Sequence, residues 1–250
     1  MKVRVFKNPE ELGKKAAEYS AQILNECIAK KGKARIILST GASQFDTIKW
    51  LVQMDVDWSK VEMFHLDEYV DLPETHPASF RKYLKERFIE KVNLKKAYLV
   101  EGEGDVKSVI ANLTEELKSE PVDLGLIGIG ENAHIAFNDP PADFDTKETY
   151  LIVDLDDDCK KQQVGEGWFK TIDDVPKQAI SMSVYQIMQC QKIVSCVPYK
   201  VKANAIKMTL ENDVSNMIPA TMLKKHNDVT IFADEDSASL VDKDVLEKFM

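Results

Sequence analysis

Apolar and polar positions along the chain follow two alternating periods. Residues 2–7 alternate, which predicts a short strand. Residues 9–30 carry Leu12, Ala16, Tyr19, Ile23 and Cys27 at three- to four-residue spacing, which predicts a helix. The β-branched run at 34–39 predicts a second strand, followed by Thr40-Gly41-Ala42-Ser43 and a helix ending near residue 51. A strand at 61–66, a helix at 77–89, a strand at 96–100 and a helix at 106–118 continue the alternation. Residues 124–129 are continuously apolar, as a strand buried on both faces should be.

The second half predicts strands at 150–153, 179–183, 192–198 and 229–233 and a helix at 201–210. Strands alternating with helices imply an α/β fold: a doubly wound, largely parallel, Rossmann-like sheet flanked by helices and joined by right-handed crossovers. A single domain over residues 1–250 is expected, with its ligand outside the carboxyl ends of the strands. Residues 154–173 are polar and contain glycine, and they interrupt the alternation. A long excursion of this kind in a compact domain is expected to act as a lid.

Composition narrows the function. The chain is 44% hydrophobic and 30% charged, with a formal net charge of −9, so a nucleic-acid partner is not expected. An acidic chain can still bind phosphate through a local pocket of backbone N–H groups and one lysine. Cys27, Cys159, Cys190 and Cys196 have neither CxxC pairing nor metal-ligand spacing, so no metal is expected. The start lacks the long apolar run of a signal peptide, and no stretch approaches the length of a membrane span. The expected location is the cytoplasm, with no membrane partner.

Three segments carry candidate chemistry. Ser39-Thr40-Gly41-Ala42-Ser43 lies between a strand and a helix, where small residues admit a ligand and hydroxyls suit a phosphate. A plain N-cap turn would look the same, and the spacing is not that of a Walker loop. Asp67 and Glu68 follow the strand at 61–66, where paired carboxylates suit proton transfer or cap the next element. Gly128-Ile129-Gly130 leads into Asn132, His134, Asn138 and Asp139, so a histidine arrives with amide and carboxylate partners. Lys202, near a helix start, is either a solvated side chain or a phosphate counter-charge.

In this order the segments resemble the glucosamine-6-phosphate deaminase and 6-phosphogluconolactonase superfamily, over about residues 6–240. The strongest pieces are Leu66-Asp67-Glu68-Tyr69-Val70 with His76-Pro77, and Gly128-Ile129-Gly130 with His134-Ile135-Ala136-Phe137-Asn138. The second piece is similar to the deaminase branch. The resemblance implies conversion of glucosamine 6-phosphate into fructose 6-phosphate and ammonia, with no redox cofactor or metal. It implies that Asp67 moves a proton between C2 and C1 of the open-chain sugar and that His134 opens the pyranose ring. It also implies that Thr40, Gly41, Ala42, Ser43 and Lys202 hold the phosphate, with Ser39 beside them and Glu68 in a supporting role. Some relatives form rings, so a homo-oligomer is compatible with the resemblance.

The chain departs from that pattern at several positions. Asn132 stands where the deaminases carry Asp, Asp139 where they carry Glu, and Ala133 where they carry Gly. Asn132 can orient His134 but cannot hold charge, and Asp139 is one methylene shorter. A family arginine beyond the third motif has no counterpart, and Trp168 and Lys170 occupy its region. These departures leave a lactone hydrolase, a related sugar-phosphate isomerase and a non-catalytic sugar-phosphate sensor as alternatives.

Overall fold

The computed structural model describes residues 1–250 apart from the side chain of Asp158. The chain opens with β1 (Lys2–Phe6) and α1 (Pro9–Lys31). Asn8 sets the start of α1: its side chain accepts from the Glu11 amide, and Pro9 takes the first helical position. Gly32 ends the helix with a left-handed φ of 76°. There follow β2 (Ala34–Leu38), α2 (Phe45–Leu51), β3 (Val61–His65), β4 (Asp67–Tyr69), α3 (Phe80–Arg87), β5 (Lys96–Tyr98) and α4 (Val106–Ser119). The second half contributes β6 (Leu124–Leu126), β7 (Tyr150–Asp154), α5 (Asp157–Gly165), β8 (Gln178–Met182), α6 (Val184–Ile187), β9 (Lys192–Val197) and α7 (Ala203–Glu211). The chain then closes with β10 (Val229–Asp234), α8 (Glu235–Ala238) and α9 (Lys243–Glu247).

Seven strands form a parallel sheet in the order β1-β10-β9-β6-β2-β3-β5. Strand β2 is buried along its whole length, as helices on both faces require. Ile36 and Leu38 face one apolar cluster with Leu12, Ala16 and Leu24 of α1. Ile37 points the other way, into a cluster with Leu113, Leu117 and Ile206 of α4 and α7. The alternating side chains of one strand therefore serve two cores.

The strands expected at 150–153 and 179–183 do not join this sheet. They are β7 and β8, which form with β4 a separate antiparallel three-stranded sheet of order β4-β8-β7, with β8 in the middle. Leu66 alone separates β3 from β4, so the chain leaves one sheet and enters the other within a residue. The Leu66 amide donates to Leu38 of the parallel sheet, while its carbonyl accepts from Met182 of the small one. The Tyr150 hydroxyl, donating to the His65 carbonyl at 2.6 Å, ties the two sheets together. Asp67 thus starts a strand braced from both sides.

The segment 154–173, read above as an irregular excursion, contains α5. Asp156 caps it by accepting from the Cys159 amide at 2.7 Å. Leu155, Cys159 and Phe169 pack with Tyr69 and Phe137 in a third apolar cluster. Among the described residues no helix is long and apolar enough to cross a membrane.

Candidate active site

Parallel pairing places Leu38, His65 and Leu126 side by side, so the residues that follow β2, β3 and β6 emerge together. They open into a cavity of about 170 Å³, roofed by Gln162, Gln163, Glu166 and Trp168 from α5 and the turn after it. All of Ser39, Thr40, Gly41, Ala42, Ser43, Asp67, His134 and Lys202 line this one cavity.

The loop after β2 forms one end. Gly41 adopts φ 93°, and its carbonyl accepts from the Tyr83 hydroxyl at 3.1 Å. Gln44 anchors the loop to β9 by donating to the Cys196 carbonyl at 3.2 Å. The Ser39 hydroxyl is buried without a hydrogen-bond partner. Lys202 is only 8% exposed, and among the described residues its ammonium has no ion pair. Burial pulls its pKa down, against the opposing pull of the Glu166 and Glu131 carboxylates. A buried lysine beside unused hydroxyls is suited to an anionic group such as a phosphate.

Asp67 forms the middle. Its carboxyl is buried, and Oδ1 has no hydrogen-bond partner. Burial, with the Glu68 carboxyl beside it, pushes its pKa up to about 8. A carboxyl so poised can take and return a proton near neutral pH.

Glu68 does not line the cavity, which corrects its expected place among the substrate contacts. Strand alternation turns it to the opposite side from Asp67. There it accepts from the amides of Tyr69, Phe80 and Arg81, the Ser79 hydroxyl and the Arg81 guanidinium, at 2.8 to 3.2 Å. Its carboxylate pins the start of α3 to β4.

His134 lines the same cavity as Asp67. Its Nδ1 lies 2.9 Å from Oδ1 of Asp139, in a pair that departs from the angle of a straight hydrogen bond. Asn132 donates to the same Asp139 oxygen at 3.0 Å and accepts from the His134 amide at 3.1 Å. Burial works against charge on Asp139, but His134 and Asn132, with the nearby Cys159 thiol, outweigh it and hold the carboxyl below its ordinary range. Neither Asn132 nor Asp139, both expected as catalytic, lines this cavity: Asp139 lies behind His134, and Asn132 lines an adjoining cavity that shares Glu131, Gln162 and Glu166.

The backbone is shaped around the imidazole. A Cβ on Gly130 would fall 2.1 Å from Nε2 of His134, so only glycine lets the ring lie there. Ala133 and Ala136 hold left-handed φ values of 65° and 52°, conformations that glycine takes more easily. Asn138 stakes the loop to the small sheet by donating to the Ile135 and Met182 carbonyls.

Several lining residues carry no sequence signal. Phe80, Gln162, Gln163 and Tyr199 reach the cavity from three separate segments. Trp168, noted as a departure, lines it and donates to Glu166 at 3.0 Å, whereas Lys170 stays exposed and outside. Among the described residues no group of three or more His, Cys, Asp or Glu side chains could hold a metal ion.

Comparison with known proteins places this geometry. Residues 7–232 match the family of glucosamine-6-phosphate isomerases and 6-phosphogluconolactonases. A glucosamine-6-phosphate deaminase of Thermoanaerobacter sp. (strain X514) is 36% identical, over 99% of this chain and 98% of that protein. One from Streptococcus pneumoniae (strain Hungary19A-6) is also 36% identical, over 97% of this chain and all of that protein. A solved monomeric glucosamine-6-phosphate deaminase superposes with a TM-score of 0.87 at 29% identity, covering 96% of this chain and 100% of its own. A 6-phosphogluconolactonase structure from Neisseria gonorrhoeae FA 1090 shares the fold, with a TM-score of 0.75 at 18% identity, over 94% of this chain and 100% of its own. The chain belongs to the glucosamine-6-phosphate isomerase/6-phosphogluconolactonase family.

Proposed function

We propose that the protein converts glucosamine 6-phosphate and water into fructose 6-phosphate and ammonia. The observation that carries this reading is Asp67: a buried carboxyl with an unpartnered oxygen, in one cavity with a histidine and a buried lysine. A lactone hydrolase needs a group to activate water but no second carboxyl to carry a proton between neighbouring carbons. The full-length similarity to proteins named as deaminases supports the same reading.

In the mechanism that follows, Lys202 and the 39–43 loop bind the phosphate. His134 takes the anomeric hydroxyl proton and returns a proton to the ring oxygen, which opens the pyranose. Asp67 removes the C2 proton of the open-chain aldehyde and delivers a proton to C1, while a proton passes from the amino nitrogen to the C1 oxygen, leaving a C1 hydroxyl and an imine at C2. Water adds to that imine and ammonia departs, so one water is consumed for each ammonia released. Asp139 holds the imidazole in place, and Asn132 holds Asp139. Gln162, Gln163, Glu166 and Trp168 close over the sugar, so we read residues 154–173 as a lid on a single domain. Every group in this scheme comes from one chain, and the reaction so read needs no second copy. The substrate is a small soluble metabolite, and we place the protein in the cytoplasm with no membrane or nucleic-acid partner.

Purified protein incubated with glucosamine 6-phosphate should release ammonia and fructose 6-phosphate in equal amounts. Hydrolysis of 6-phosphogluconolactone without ammonia release from the amino sugar would replace this reading by the lactonase one.

A further inference from the structure

Gln163 lies on α5, only 6% exposed, and lines the cavity. The Tyr69 hydroxyl donates to its Oε1 at 2.7 Å. An amide whose oxygen is held by a phenol must turn its nitrogen the other way. That Nε2 has no protein acceptor among the described residues and is not one of their fully buried unpaired atoms, so it is open to the cavity that Gln163 lines. A donor open to the cavity is left unpaired when a ligand displaces its water, unless that ligand supplies an acceptor.

Tyr69 is a rigid support for this orientation. It is fully buried, and the rings of Phe80, Phe137 and Phe169 lie 5.0, 5.3 and 5.5 Å from its own. Tyr69 also stands two residues after Asp67 on β4, so both side chains leave the strand on one face. The phenol that fixes Gln163 is therefore a neighbour of the carboxyl assigned to proton transfer.

We propose that Gln163 is a substrate-binding residue whose side-chain amide donates to a hydroxyl or carbonyl oxygen of the sugar on the Asp67 side of the cavity. This rests on the sugar-phosphate reading above and adds a specificity contact to it. A ligand lacking oxygen at that place leaves two buried donors unpaired, which a polar site rejects more strongly than an apolar pocket rejects a missing methylene. Because α5 carries Gln163, the contact also couples closure of that segment to recognition of the sugar.

The test uses fructose 6-phosphate without ammonia as a non-reacting probe, and inorganic phosphate as a second, both by titration calorimetry. Gln163→Glu keeps the length of the side chain and an acceptor for Tyr69 but removes both donors. The pair Tyr69→Phe with Gln163→Met removes both polar ends while keeping the packing. Fructose 6-phosphate should bind about tenfold more weakly to either variant, the effect of one lost buried hydrogen bond. Inorganic phosphate should bind both variants as it binds the parent. Equal binding of fructose 6-phosphate by parent and variants overturns the assignment of Gln163. An equal loss for both probes overturns the placement on the Asp67 side. A parent protein that does not bind fructose 6-phosphate overturns the sugar-phosphate reading, and this proposal with it.

Discussion

The imidazole of His134 lies against the bare Cα of Gly130, where a Cβ would fall 2.1 Å from Nε2 and 2.2 Å from Cε1. One methyl group at 130 must therefore push the ring off its line to the cavity. Gly130→Ala should lower kcat by about 10² to 10⁴, the range for losing a positioned acid/base group. Binding of fructose 6-phosphate should change little. Steady-state kinetics beside calorimetry would check this, and a parent-like kcat would mean that His134 is not where the chemistry occurs.

Asp67 predicts a dependence on pH. The carboxyl must be ionised to act as a base, and burial together with Glu68 raises it to about 8. The kcat/KM of the free enzyme should therefore climb with pH and level off above about 8. Stability should move the opposite way. The folded protein holds this proton more tightly than the unfolded chain does, so stability is fully present below the ordinary carboxyl value of 3.8 and is lost as pH rises towards 8. Asp67→Asn should raise the melting temperature at pH 8 and leave it unchanged near pH 3. A melting difference independent of pH would contradict the assignment.

Asn132 gives a prediction with a definite sign. It is a donor to Asp139, so Asn132→Asp would set two carboxylates about 3 Å apart and drive one of them to take up a proton. Deaminase kcat should fall by about tenfold, the scale of a lost charge contact of some 1.4 kcal/mol. A rise in kcat would show instead that Asn132 leaves the imidazole too weakly supported.

Glu68→Gln should separate stability from catalysis. The variant removes a buried charge from five donors, including the Arg81 guanidinium. Breaking a buried pair in this way costs about 3 to 5 kcal/mol, which denaturant unfolding would read directly. KM for the sugar phosphate should stay close to the parent value. A raised KM with unchanged stability would return Glu68 to the substrate site.

Much of this arrangement was legible from residue patterns. The strands at 34–39, 61–66, 124–129, 192–198 and 229–233 read correctly because they are buried on both faces and carry no competing helical period. The strands 150–153 and 179–183 were legible, but which strands they pair with was not. Pairing is a long-range property, and β4, the outer partner of β8, is only three residues long and polar at two of them. Helix α5 was hidden because its sequence is polar and its apolar contacts come from Tyr69 and Phe137, far away in the chain. The chemical residues were visible as short motifs beside strand ends. Gln163 and Tyr199 were not, because their place in the cavity depends on how separate loops converge.

The most direct measurement pairs turnover and binding in Asp67→Asn. The substitution keeps the shape of the side chain and removes its capacity to carry a proton as a base. Ammonia release from glucosamine 6-phosphate should fall by about 10² to 10⁴ or more, while the Kd for fructose 6-phosphate stays close to that of the parent. Turnover at the parent rate in Asp67→Asn would contradict the account, because the proton would then be moving between C2 and C1 without the carboxyl on which the site is built.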